Sequence, residues 1–284
     1  GELGKTIARG DDAQMEAEAL EVARQADVIV CAMGETADMS GECASRTDLR
    51  MPDAQRHLLA QLARTGKPIV LLNFSGRPTV LTWEQEHLPA IMNVWFGGSE
   101  AADAICDVIF GDKVPCGKLT ASMPKTTGQE PLYYNHQNTG RPVPDDNPRF
   151  AKFASNYLDV RNGALYPFGY GLSYTTFEYG PLQISADHTA TVRVTNTGSR
   201  AADEIVQLYI RDKVASISRP VKELKAFRRI HLAAGESQDV SFQITPDMLK
   251  FYNADLQYVL EPGEFDIMVG PNSRDTKNGT ISVK

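Results

Sequence analysis

The sequence predicts an α/β domain with a mainly parallel sheet, followed by an all-β sandwich. In the first half of the 284-residue chain, short apolar runs alternate with segments of helical periodicity. A stretch rich in Pro, Asn and Tyr then follows without clean periodicity. From about residue 178, short alternating strands are separated by Gly, Asn and Pro turns. These shifts predict an α/β domain at 1–125, a long connector at 126–177 and a β-sandwich domain at 178–284.

The elements of the α/β half follow from local signals. Helices are predicted at 12–25, 51–65, 77–88 and 99–110, and strands at 26–33, 67–75, 89–96 and 118–124. The run "ADVIVCAM" is apolar throughout, which is typical of a strand covered on both faces. Pro52 suits the first turn of the second helix, and Gly66 suits the residue just past its end. Because helix and strand alternate with short links, the sheet is predicted to be mainly parallel.

The second half shows alternation with a period of two residues. The segments "TATVRVTNTG", "DEIVQLYIRD" and "GEFDIMVG" have this pattern and end at turn residues. It predicts a sandwich of the immunoglobulin or fibronectin type III kind. The Cys…Trp…Cys spacing of antibody domains is absent from the sequence.

Composition excludes several classes of partner. The net charge is −7 and the pI is about 5.3, which argues against nucleic acid or an anionic membrane. No apolar run approaches the length of a membrane span. The four cysteines and five histidines match no metal-binding spacing, so neither a metal nor another cofactor is expected. Cys31 and Cys106 are interpreted as small apolar core residues. The opening "GELGKTIARGDD" resembles the tail of a preceding segment, and we expect a fragment of a longer protein.

The loop "MSGECASRTDL" directly follows the first strand. Ligands bind beyond the carboxyl ends of strands in parallel sheets, so this position makes the loop a candidate site. Glu42 is either a solvated loop carboxylate or a general acid/base, and small neighbours such as Gly41 would let a substrate approach it. Arg46 would orient Glu42 or bind a hydroxyl group, or it would simply pair with Asp48.

Two further features have a structural and a functional interpretation. Glu35 directly follows the first strand, and we favour a role in capping backbone N–H groups in the loop and bracing it. The aromatic run at 165–179 would either pack the two domains together, which we favour, or form a platform on which sugars stack. The sequence contains no legible Ser/His/Asp triad.

Several motifs, taken in order, resemble one enzyme family. The segments "SGECASRTDL", "GKPIVLLNFSGRP", "WFGGSE" and "YPFGYGLSYTTF" resemble the C-terminal part of glycoside hydrolase family 3 enzymes, and "SRPVKELKAF" resembles the family's fibronectin type III-like domain. The resemblance implies a retaining exo-acting β-glucosidase in the periplasm, with a β-glucoside or oligosaccharide as substrate. It implies that Glu42 is the acid/base and that Met39 and Arg46 lie on the substrate side of the loop. The nucleophilic Asp would come from an N-terminal barrel domain outside this chain.

Other interpretations remain open at this stage. Another specificity of the family, such as β-xylosidase, would use the same loop, because most sugar contacts would lie in the barrel. A non-catalytic module that binds carbohydrate or protein would fit the second half and the aromatic run. A homodimer is also left open, and the isolated chain is expected to be inactive without the barrel.

Overall fold

The computed structural model describes residues 12–147 and 150–284, which form two compact units. The first unit comprises the described residues as far as Ile109 together with Met123–Glu130, and the second comprises Phe110–Ser122 and the described residues from Pro131 onward. An α/β unit with a parallel sheet is followed by an antiparallel β-sandwich, which confirms both predicted fold classes. The exact domain boundaries stay a prediction, and the opening segment 1–11 lies outside the described residues.

The first unit contains a three-stranded parallel sheet in the order β1-β2-β3. Its strands are β1 (Ile29–Gly34), β2 (Ile69–Phe74) and β3 (Ala90–Asn93), and its helices are α1 (Asp12–Gln25), α2 (Asp53–Ala63), α3 (Thr82–His87) and α4 (Ala101–Ile109). Apolar side chains of α1, α2 and the strands form one core, which includes Leu59, Ile69 and Leu71. Since all three strands run in one direction, their carboxyl ends lie at the same edge of the sheet.

Three predictions for the first half are wrong. In the described residues β1 is not covered on both faces, because Val30 is 49% exposed and Ala32 is also exposed, whereas Cys31 between them is buried. The segment 118–124 is not a strand, because the backbone of Leu119 exchanges hydrogen bonds with the turn at Gly169 and Tyr170 instead of joining the sheet. Cys31 is buried as predicted, but Cys106 is exposed. The helical spacing around Cys106 is real, yet no residue of α4 is buried.

The second unit is built from two antiparallel sheets. Strands β4 to β9 are Phe177–Tyr179, Gln183–Ile184, Thr189–Asn196, Ala202–Asp212, Glu223–Leu232 and Ser237–Gln243, and a short helix α5 spans Pro246–Leu249. Strands β10 to β13 are Phe251–Tyr252, Tyr258–Val259, Gly263–Gly270 and Lys277–Val283. One sheet has the order β13-β12-β7-β8, the other joins β4, β5 and β9 to β6, and β10 pairs with β11 in a separate hairpin. Both sheets contribute to one core, which contains Val192, Leu208, Phe265 and Ile267.

Residues before the sandwich strands pack within this second unit. Lys118 Nζ forms a buried ion pair with Glu204 Oε1 at 3.1 Å, and the Tyr179 hydroxyl donates to the same oxygen at 2.9 Å. Burial raises the pKa of Tyr179, and the neighbouring Glu204 charge raises it further. In the aromatic run, Phe168 stacks on Tyr134 with ring centroids 4.2 Å apart. The ring of Phe168 thus packs against the unit to which it belongs. Of the helices in the described part of the chain, none has the length and apolar character that crossing a membrane requires.

Candidate functional site

The carboxyl end of β1 is held tightly against β2. Gly34 has a φ of +133°, and a Cβ atom there would lie 1.9 Å from the Phe74 carbonyl oxygen, so only glycine fits without displacing the backbone. On the side of Gly34 away from β2, the side-chain amide of Gln55 on α2 bonds to the Gly34 backbone. Gly34 donates its N–H to Gln55 Oε1 at 2.7 Å, and Gln55 Nε2 donates to the Gly34 carbonyl at 2.9 Å. This arrangement fixes the direction in which the chain leaves β1.

Glu35, the next residue, is the centre of a buried ion cluster. Only 1% of its side chain is exposed. Arg46 Nη1 donates to Glu35 Oε1 at 3.0 Å, Arg77 Nε lies 3.0 Å from the same oxygen, and Gly76 donates its N–H to Oε2 at 3.1 Å. We call Glu35, Arg46, Arg77 and the Gly76 N–H the Glu35 cluster. Glu35 does accept a backbone N–H, but that group belongs to Gly76 after β2 and not to the loop as predicted. Glu35 contacts the loop through the side chain of Arg46.

The two arginines of the Glu35 cluster turn their remaining N–H groups toward the loop at 39–50. Arg77 Nη2 donates to the carbonyl oxygens of Met39, at 2.6 Å, and Ala44, at 2.8 Å. Arg46 Nη2 donates to the carbonyl of Arg50 at 2.9 Å. The main chain of the loop is therefore fixed at three points by groups that Glu35 orients.

Glu42 lies between two of these fixed points. The Ala44 N–H donates to the Gly41 carbonyl at 3.3 Å and closes a four-residue turn with Glu42 and Cys43 at its centre. Gly41 has a φ of +125° and Cys43 a φ of +60°, so the turn uses backbone conformations that side chains disfavour. Glu42 is exposed, and no side chain of the described residues forms a hydrogen bond with its carboxylate. An exposed carboxylate on a fixed turn is available to an incoming ligand.

The structure shows where the other predicted loop residues lie. Met39 is buried and contributes its carbonyl oxygen to Arg77. Arg46 pairs with Glu35, whereas the partner of Asp48 is Arg50, with Arg50 Nε at 3.0 Å from both carboxylate oxygens. The hydrogen bonds from Arg50 lower the pKa of Asp48 to about 2.

The sequence patterns did not identify Arg77 as a residue of the candidate site. It follows β2 in the segment "SGRP", and β2 ends at the same sheet edge as β1. Its place just after that strand is the signal that would have identified it, because the carboxyl ends of neighbouring parallel strands bring their following residues together.

A cavity of about 580 Å³ borders the far end of the loop within the first unit. Its lining includes Asp48, Arg50, Trp83, Glu84 and Lys125. Glu84 on α3 is buried, and burial raises the pKa of its carboxyl group. Across residues 12–147 and 150–284, no group of three or more His, Cys, Asp or Glu side chains is placed to hold a metal ion.

A comparison with known protein families matches both units of the chain. Residues 3–174 match the model of the glycosyl hydrolase family 3 C-terminal domain, and residues 204–273 match a fibronectin type III-like domain. The chain belongs to glycosyl hydrolase family 3. The family match covers β1, the Glu35 cluster and the loop at 39–50, and the fibronectin type III-like match falls within the β-sandwich.

The curated relatives of this chain include proteins named for two specificities. The chain is 46% identical over 273 residues to a periplasmic β-glucosidase of Salmonella typhimurium, covering 94% of this chain and 35% of that protein. It is 40% identical over 277 residues to a β-xylosidase of Formosa agariphila, covering 94% of this chain and 37% of that protein. The chain therefore spans much less than the full length of these relatives.

Solved structures of β-glucosidases have the same fold over nearly the whole chain. A β-glucosidase from Listeria innocua in complex with isofagomine superposes with a TM-score of 0.87 at 39% identity, covering 95% of this chain and 38% of that one. A β-glucosidase from Erythrobacter marinus superposes with a TM-score of 0.88 at 35% identity, covering 97% and 37% of the two chains.

Proposed function

We propose that this chain is the C-terminal portion of a retaining exo-acting β-glucosidase and that Glu42 is its acid/base residue. The observation that carries the proposal is the exposed Glu42 carboxylate, held on a turn whose flanking carbonyls are fixed by Arg77. Acid/base catalysis needs a carboxyl group that is both accessible and positioned. The similarity to β-glucosidases supplies the class of substrate, a terminal β-linked glucosyl residue.

The proposed reaction has two steps, each with a defined proton transfer. In the first step, an Asp carboxylate from a barrel domain outside this chain attacks the anomeric carbon. Protonated Glu42 gives its proton to the glycosidic oxygen, whose bond to the anomeric carbon breaks. In the second step, Glu42 takes a proton from water, and the water oxygen displaces the Asp and releases the sugar. Retention by this route requires the two carboxyl groups to lie about 5–5.5 Å apart.

The test is Glu42→Ala in the full-length protein that carries this chain. We expect a loss of about 10²–10⁴-fold in kcat/KM on cellobiose, because cleavage of this substrate depends on protonation of the leaving oxygen. The loss should be much smaller on an aryl glucoside with a good leaving group, and azide should restore turnover of that substrate. Asp38→Ala is the matched control, because Asp38 is an exposed carboxylate four residues earlier and should be dispensable. Unchanged kinetics of Glu42→Ala on cellobiose would contradict the proposal.

A β-xylosidase is the second candidate, favoured by the similarity to the Formosa agariphila enzyme. The ratio of kcat/KM for 4-nitrophenyl β-glucoside and β-xyloside distinguishes the two specificities. The similarity to the Salmonella protein supports a periplasmic location, which fractionation of cells that express the full-length protein would test. A non-catalytic binding module would instead bind glucose or cellobiose tightly in calorimetry with this chain alone.

A further inference from the structure

The Glu35 cluster is not explained by folding stability alone. It places one carboxylate and two guanidinium groups in a site where Glu35 is 1% exposed and each arginine side chain is 20% exposed. Removing charges from water carries a large desolvation cost, and replacing a buried ion pair by well-packed apolar residues of similar volume is often neutral or stabilising. The presence of this buried ion cluster is therefore not accounted for by its contribution to stability. Its hydrogen bonds to the loop indicate another role.

Each arginine of the cluster links Glu35 to the loop backbone. Arg77 Nε contacts Glu35 while Arg77 Nη2 bonds to the carbonyls of Met39 and Ala44. The planar guanidinium makes these contacts together, since its five N–H groups have a fixed geometry. Lysine has the charge but not the planar fork, so it cannot reproduce the same set of bonds.

The carbonyls that Arg77 holds lie on either side of Glu42. Met39 precedes Glu42 by three residues and Ala44 follows it by two. A change at Glu35 therefore reaches Glu42 through one side chain and a short piece of fixed backbone. Within the described part of the chain, no side chain forms a bond to the exposed Glu42 carboxylate that would compensate.

We propose that Glu35 is a positioning residue for Glu42 and acts through Arg77 and Arg46 to hold the turn at 41–44 in the geometry needed for proton transfer. The inference rests on the proposed acid/base role of Glu42. It assigns a role in the reaction to a buried residue that would not touch the substrate. Misplacing a catalytic group by about 1 Å costs on the order of 100-fold in rate.

The test compares substrates that differ in their need for an acid. In the full-length protein, Glu35→Gln removes the charge but keeps the shape, and Arg77→Lys keeps the charge but loses the fork. We expect each to lower kcat/KM on an alkyl glucoside by on the order of 100-fold. On 2,4-dinitrophenyl glucoside, whose leaving group needs no proton, the loss should be only a few-fold. The ratio of the two losses is the decisive readout, because a smaller folded fraction lowers both rates equally.

Glu204→Gln is the matched control, since Glu204 is a buried carboxylate paired with Lys118 in the second unit. It should lower Tm without changing the ratio between the two substrates. Hydrogen exchange adds a readout that needs no activity: in this 284-residue chain, peptides covering 39–50 should exchange faster in Glu35→Gln and Arg77→Lys, but not in Glu204→Gln.

The outcomes separate the two proposals. Equal losses on both substrates for Glu35→Gln and Arg77→Lys, or unchanged exchange at 39–50, would overturn the positioning role. If Glu42→Ala, measured in parallel, also shows no dependence on the leaving group, the acid/base proposal itself fails. If Glu42→Ala shows that dependence and the Glu35 and Arg77 variants do not, only the positioning role fails.

Discussion

A methyl group at Gly76 would collide with the loop that carries Glu42. Gly76 follows β2 and donates its N–H to Glu35. A Cβ atom there would lie 1.8 Å from Ser40 Oγ, 2.9 Å from Ser40 Cβ and 3.1 Å from Phe96 Cε2. Gly76→Ala therefore perturbs the loop two residues before Glu42 without altering any charge.

The size of the effect follows from these distances. Ser40 Oγ would have to move by roughly 1.7 Å to reach the 3.5 Å at which non-bonded atoms attract. Rotating the hydroxyl away leaves the new Cβ atom at 2.9 Å from Ser40 Cβ, so the backbone at Ser40 also has to move. A displacement of about 1 Å at a catalytic group lowers the rate on the order of 100-fold. That loss equals about 2.7 kcal/mol of transition-state stabilisation.

The assay is kcat on an alkyl glucoside for the full-length protein, with Tm measured alongside. Gly76→Ala should lose about 100-fold in kcat, and overpacking should cost about 1–3 kcal/mol of stability. Ser40→Gly removes both close atoms, so the double variant Ser40→Gly/Gly76→Ala should recover most of the loss relative to Ser40→Gly alone. Wild-type kcat for Gly76→Ala, or a double variant with restored Tm and no recovery of kcat, would refute the reasoning.

Two further predictions concern stability. Gly34→Ala should destabilise the chain by roughly 2–4 kcal/mol in urea unfolding, because it combines a φ of +133° with a backbone clash against Phe74. Gly128→Ala is the control, since a Cβ atom at Gly128 would meet nothing within 4 Å and should change stability little. Equal effects of the two substitutions would contradict this account. Glu84→Gln should raise Tm at pH 7 and match the wild type at pH 4, because burial raises the pKa of Glu84 and the wild type loses stability as pH rises through that raised pKa. Glu86→Gln, at an exposed position on α3, is the matched control for replacing a glutamate in this helix. A Tm difference for Glu84→Gln that is independent of pH would count against the burial argument.

The sequence predicted the parallel sheet well, because continuous apolar runs between helical segments depend on local pattern alone. It failed at 118–124, where the partner of Leu119 is a turn about fifty residues later in the chain. Local alternation cannot reveal a partner at that distance. It failed also at Cys106, since periodicity shows that a helix has an apolar face but not whether that face is covered.

The candidate site was predicted in part. The rule that ligands bind at the carboxyl edge of a parallel sheet made the loop a candidate from sequence, and the family resemblance singled out Glu42 within it. The role of Glu42 stays a prediction. The partner of Arg46 could not be predicted, because Glu35, Asp48 and Glu42 were all within reach in sequence and only the fold selects Glu35. Arg77 was missed because its importance depends on carbonyls that lie more than thirty residues earlier in the chain.

The loop at 39–50 is held through its carbonyl oxygens, and every residue type supplies a carbonyl. The side chains at Cys43 and Ser45 are exposed and take no part in holding the loop. Substitution at Ser45 should therefore leave the main chain unchanged, as should substitution at Cys43 by residues that tolerate its φ of +60°. A substitution at Glu35 or Arg77 instead removes the bonds that hold the loop. A library randomised at 45, and at 43 without Pro or β-branched residues, should yield mostly folded variants that differ in their preference for the leaving group. The same scaffold can thus acquire new specificities without a change in its main chain.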